Sequence, residues 1–171
     1  MKNLIILSSV LSTVVLASPV AAQDDLQFDI NNTRSCLFAA TTSDQKRQCI
    51  GQSATACMNA TSSGGTTYGM GGCLNFEAEW WDTQLNAAYG PLMKREKQDD
   101  AQNDADGFNA PKKAPALRAM QRAWITYRDT TCGYEYSQWG GGTGGGPASV
   151  ACVLRMTGEQ TIYLQSAGLE Y

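Results

Sequence analysis

Any chemistry in this chain would have to come from carboxylates, amides and guanidinium groups, because its 171 residues include no histidine. Without an imidazole there is no Ser-His or Cys-His pair to generate a nucleophile. Zinc is equally disfavoured, since the cysteines form no Cys-x-x-Cys pair and have no histidine to join. Glu77 with Glu79, and Asp99 with Asp100, are of a type suited to acid–base work, but spacing alone assigns them to a charged surface. In residues 102–113, Asp104, Asp106 and Gly107 fall at the third, fifth and sixth positions of a calcium loop. Gln102 opens that loop, however, and Lys113 stands where a bidentate Glu is required. No cofactor and no metal are expected, and the chain reads as a binding protein rather than an enzyme.

The segment QRAWITYRDTTC offers a different kind of pattern. Gln121, Trp124, Arg128 and Cys132 recur at intervals of three, four and four, which place them on one helical stripe with Leu117 a turn earlier. An indole, an amide and a guanidinium on one stripe fit neither an ordinary core nor an ordinary surface. A second periodic run supplies a counterpart: Leu74, Ala78, Trp81, Leu85, Tyr89 and Leu92 lie in 3.6-residue register. An antiparallel hairpin of the two helices pairs Leu92 with Leu117, Tyr89 with Gln121, Leu85 with Trp124 and Asp82 with Arg128. The expectation is a helix–helix seam carrying a semi-buried polar ladder that fixes helix register.

The elements that would hold this seam are all helical. Residues 43–58 begin with a Ser N-cap, residues 73–93 and 116–136 are the strong helices, and residues 148–165 form a last one. Residues 23–35 read as polar and frayed, and residues 61–72 as a turn-rich loop. Residues 94–115 are charged, poor in apolar groups and contain two prolines, so they read as a long solvated loop. No alternating run is long enough for a sheet. The fold class is all-α, a small disulfide-stapled helical bundle.

The first 22 residues have Lys2, an apolar run from Leu4 to Leu16, and Val20-Ala21-Ala22 before the polar Gln23. This is the pattern of a secretory signal peptide, with no membrane anchor left after cleavage and a periplasmic or secreted bacterial location. All six cysteines, Cys36, Cys49, Cys57, Cys73, Cys132 and Cys152, lie beyond it. An even number in an oxidising compartment implies disulfides. Several pairings are open; closure between nearest neighbours gives Cys36–Cys49, Cys57–Cys73 and Cys132–Cys152. The 13 basic and 16 acidic residues give a net charge of −3, or −4 once Lys2 is removed. That excludes neither solubility nor a basic protein partner, but it disfavours nucleic acid and anionic membrane.

Asp82, Leu85, Asn86 and Tyr89, followed by Gln121, Trp124, Arg128, Asp129 and Cys132, then a glycine tract and Cys152, resemble the LprI-like lysozyme inhibitor family. Its pattern is Asp-x-x-Leu-Asn-x-x-Tyr, then Gln-x-x-Trp-x-x-x-Arg-Asp-x-x-Cys, a Gly-Gly turn, a second Cys and a closing helix. The resemblance covers about residues 57–165, so the chain divides into residues 1–22 (signal), 23–56 (an extension with a short helix) and 57–165 (the family domain). There are departures: Gln160 stands where the last helix often has Arg, the glycine tract is longer, and Cys36 and Cys49 lie outside the motif. The resemblance implies an exported protein that binds and inhibits a lysozyme-type muramidase. A reading from another class is a structural or adaptor protein of the envelope without an enzyme target. Lysozyme or another basic envelope protein is the implied partner.

If the motif residues are spent on the seam, the partner surface must come from elsewhere. Residues 61–72 and 140–146 are glycine-rich and each is enclosed by an expected disulfide. Both fall at the same end of the hairpin. Tyr68, Met70, Tyr134, Tyr136 and Trp139 are the apolar groups there and suit a recognition patch. Trp80, next to Trp81 and unable to share its core, is a further exposed anchor candidate.

Overall fold

The computed structural model describes residues 26–167; the leader read from residues 1–22 lies outside them. Within them the chain forms six helices: α1 (Asn31–Ala39), α2 (Ser43–Arg47), α3 (Gln52–Ala60), α4 (Thr67–Ala105), α5 (Lys113–Ser137) and α6 (Gly145–Ala167). No strand occurs among the described residues. The long α4 is the spine; α6 packs along it, and α5 leans mainly on α6 and touches α4 less extensively. Among the described residues no helix is long and apolar enough to cross a membrane.

The apolar stripe of α4 divides between two clusters. Ala78 and Trp81 pack with Ala54, Leu154 and Ile162. Leu85 and Leu92 meet Leu164, with Leu117, Met120 and Trp124 of α5 closing over them. Each buried leucine contributes about 2 kcal/mol by removal from water. A third, small cluster surrounds the bridge between α5 and α6, where Met156 lies against both sulfurs of Cys132 and Cys152 at 3.8 Å. The three disulfides join Cys36 to Cys49, Cys57 to Cys73 and Cys132 to Cys152. Each contributes roughly 3 kcal/mol in the chain-entropy account.

Several expected boundaries are corrected. Residues 94–115 are not a long loop: α4 runs on to Ala105, and only residues 106–112 turn. Lys, Arg, Glu, Gln and Ala are strong helix formers, and here they are also anchored, with Glu96 and Asp100 buried. Asp100 accepts the backbone N–H groups of Lys113 (2.8 Å) and Ala114 (2.9 Å), satisfying orphan donors at the start of α5. Gly107, at φ +73°, ends α4 in a Schellman arrangement: Phe108 N–H donates to Asn103 C=O and Gly107 N–H to Asp104 C=O. Pro115 sits in the first turn of α5, where a missing N–H costs nothing. Pro91 lies inside α4, which passes through it.

The N-terminal part is also more ordered than its polar sequence implies. Residues 31–39, expected to fray in part, form α1. The expected single helix at residues 43–58 is two helices, α2 capped by a Thr42–Gln45 capping box and α3 starting after Gly51. α4 starts at Thr67, so the loop expected at residues 61–72 is half as long.

One buried group explains this order. Glu77, assigned to the surface from its spacing, is completely buried. Its Oε1 accepts from Thr33 Oγ1 (2.8 Å), Gly51 N–H (2.8 Å) and Trp81 Nε1 (3.1 Å). Its Oε2 accepts from Ala54 N–H at 2.7 Å. The carboxylate thus sits on the N-terminus of α3, where free N–H groups and the helix dipole favour negative charge. Thr33 and Ser53 complete the junction by capping each other's backbone, at 3.0 and 3.1 Å.

Candidate functional site

The motif residues come together, but not as a closed seam. Because α5 leans on α6, a cleft of about 400 Å³ stays open between α4 and α5. Asp82, Leu85, Asn86 and Tyr89 form its α4 wall; Gln121, Trp124 and Arg128 line the α5 wall. The expected apolar pairs hold, since Leu85, Trp124, Leu92 and Leu117 share one cluster at the floor. The expected polar pairs do not. Asp82 is hydrogen-bonded to Asn86 Nδ2 (3.0 Å), one turn along its own helix.

Arg128 turns away from Asp82. Its Nε and Nη2 donate to the adjacent Asp129, each at 2.9 Å, and Nη1 reaches Thr157 Oγ1 of α6 at 3.4 Å. Its guanidinium carbon lies 5.0 Å from the Trp124 ring centre, a cation–π contact. Gln121 pairs with α6 rather than with Tyr89: Gln160 Nε2 donates to Gln121 Oε1 at 3.0 Å. Gln160, noted as a departure from the motif, therefore supplies the third helix's part of the polar layer. α6 intrudes on the expected two-helix pairing because its own stripe of Leu154, Thr157, Thr161 and Leu164 is buried. Two residues that spacing did not single out, Arg118 and Arg122, also line the cleft. Their intervals to Gln121, Ile125 and Arg128 put them on the same face, and that was the available signal.

At the far end, the two glycine-rich segments lie side by side. Tyr68, Gly71 and Gly72 face Thr143, Pro147 and Val150 across a shallow, mostly apolar groove of about 690 Å³. Tyr68, Tyr134, Tyr136 and Trp139 are all more than half exposed, and Met70 is half-buried. Trp139 lies on the glycine tract: a Cβ on Gly144 would fall 2.2 Å from its ring, so any other residue would push the ring aside. Trp80 is half-buried, edge-on to Trp81 at 5.0 Å and packed on the core. It is thus less free than an isolated surface anchor.

The calcium-like segment is divided by the end of α4. Asp104 pairs with Lys112, and Asp106 accepts from Gln102 at 2.9 Å. Among the described residues no group of three or more His, Cys, Asp or Glu is placed to hold a metal. Asp100 and Lys113, at the α4–α5 turn, have shifted ionisation. The Ala114 and Lys113 amides hold Asp100 below the ordinary carboxylate value, helped by Lys112 and Lys113. Asp99, through a hydrogen bond, raises Lys113. Both serve the turn, and neither lies in the cleft.

Comparison with known proteins places the chain. The family described as "Lysozyme inhibitor LprI" matches residues 57–164. A protein of Rhodobacter capsulatus, named as an uncharacterized 17.7 kDa protein in the puhA 5′ region, is 28% identical over 138 residues, covering 80% of this chain and 85% of that one. No solved structure matches.

Proposed function

The chain belongs to the LprI lysozyme inhibitor family, and on that footing we propose that it acts by binding and inhibiting a lysozyme-type muramidase. The family match over residues 57–164 carries this reading. The end groove supports it. A disulfide encloses each of its two walls, Cys57–Cys73 and Cys132–Cys152, so little entropy is lost when a partner is engaged. Tyr68, which lines the groove, and Trp139, beside it on the glycine tract, are the main anchors, with Met70, Tyr134 and Tyr136 as further contacts outside the groove and Trp80 as an outlying one. The acidic balance of the chain, 16 against 13, suits a basic partner. The six cysteines, all paired among the described residues, fit an exported protein.

A turbidity assay of lysozyme on bacterial cell walls, with the oxidised protein added, tests this. Inhibition is expected, and Tyr68→Ala with Trp139→Ala should abolish it while leaving the helical circular dichroism unchanged. A folded wild type that leaves lysozyme activity untouched would instead favour the envelope adaptor.

A further inference from the structure

The cleft between α4 and α5 has the chemistry of a small-molecule site, separate from the end groove. Its α5 wall is a row of donors. Arg118, Gln121, Arg122 and Arg128 present N–H groups along one face. Arg128 is already engaged by Asp129 and Thr157. The guanidinium groups of Arg118 and Arg122 make no ion pair or hydrogen bond with any described residue. Gln121 is only 7% exposed, its Oε1 is taken by Gln160, and its amide nitrogen donates to no described residue. That nitrogen is not shut away from solvent, so water serves it until a ligand acceptor takes its place.

The α4 wall is complementary in another way. Asp82 offers carboxylate acceptors, Asn86 keeps its carbonyl oxygen, and Tyr89 brings a phenol. Tyr89 and Trp124 are half-buried and give the cleft aromatic flanks. A ligand that is a bare anion, such as phosphate, would pair with the arginines but offer few donors to Asp82 and Asn86 on the opposite wall. A purely apolar one would leave the amides and guanidinium groups unpaired. Hydroxyl groups, which donate and accept, satisfy both walls, and a carboxylate satisfies Arg118 and Arg122 together. We propose that this cleft binds an acidic saccharide, its carboxylate on the Arg118–Arg122 pair and its hydroxyls between Gln121, Asn86 and Asp82. The volume of about 400 Å³ is within the range of small-ligand pockets and holds one or two sugar rings.

The probe is a glucuronate–N-acetylglucosamine disaccharide, compared with the neutral N-acetylglucosamine disaccharide and with acetate, titrated into the oxidised protein by calorimetry. The acidic disaccharide should bind at least about tenfold tighter than either control. Arg118→Gln with Arg122→Gln should remove that preference while melting temperature and any lysozyme inhibition stay unchanged, since both side chains are exposed. Equal binding of the neutral disaccharide, equal binding of acetate, no binding of the acidic disaccharide, or an unaltered preference in the double variant would each overturn the proposal. Because the end groove is intact in that variant, failure here and failure of lysozyme inhibition are read separately.

Discussion

Replacing Glu77 with Gln keeps the shape of the side chain and changes only what its oxygens can accept. In the native protein three donors converge on Oε1 and one on Oε2. The least damaging amide orientation keeps its oxygen toward Thr33, Gly51 and Trp81. It then points NH2 at the Ala54 N–H, orphaning a buried donor at about 1–3 kcal/mol. The three retained bonds lose their charge assistance, at roughly 0.5 kcal/mol each. Removing a buried charge whose partners include no cation offsets part of this loss. The net expectation is a destabilisation of about 2–3 kcal/mol, or roughly 6–10 °C in melting temperature for a chain of this size. The assay is thermal and denaturant unfolding followed by circular dichroism with disulfides intact, combined with amide hydrogen exchange. Exchange should quicken at Ala54 and Gly51 and along α1 and α3, while α5 and its contact with α6 stay protected. A melting temperature equal to wild type, or faster exchange spread evenly over all six helices, would refute the assignment of Glu77 as the tie between α1, α3 and α4.

Arg128→Ala should lower stability by about 1 kcal/mol, because it removes the Thr157 hydrogen bond and the contact with Trp124 but leaves Asp129 exposed to water. Equal melting temperatures would show that neither the bond to α6 nor the Trp124 contact within α5 contributes to stability. Asp100→Asn should lower the melting temperature at neutral pH by weakening the N-terminal cap of α5. Since the folded state holds Asp100 below its ordinary value, its contribution is complete above that value and is lost as pH falls through the folded one. The gap between variant and wild type should therefore close in acid, as a pH series of melts would show. A gap that widens in acid would reverse the sign.

What could be read from sequence was set by periodicity. α4, α5 and α6 were legible because Leu85, Leu92, Trp124 and Leu154 bury at helical intervals, and consecutive cysteines paired as loop length favours. The extension was not legible, because α1 and α3 have no wide apolar face. Apart from their disulfides, they are held by Thr33, Ser53 and a distant carboxylate, which leave no period in the sequence. The charged stretch after Met93 hides its helix for the same reason: Glu96 and Asp100 are buried polar groups, and composition alone marks such residues as solvated. The motif positions gather as their spacing implies and the apolar ones share a cluster, but the polar ones take other partners. A two-helix argument could bring Asp82 opposite Arg128, but only the position of α6, with Thr157 and Gln160, decides where the guanidinium and amide turn.

The three bridges have an order as well as a location. Each joins a cysteine to the next one along the chain, with separations of 13, 16 and 20 residues. No bridge encloses or crosses another. An oxidant that links thiols in the sequence in which they emerge into an oxidising space would therefore make the native set at the first attempt. Every intermediate on that route already holds only native bonds, and reshuffling by an isomerase has nothing to correct.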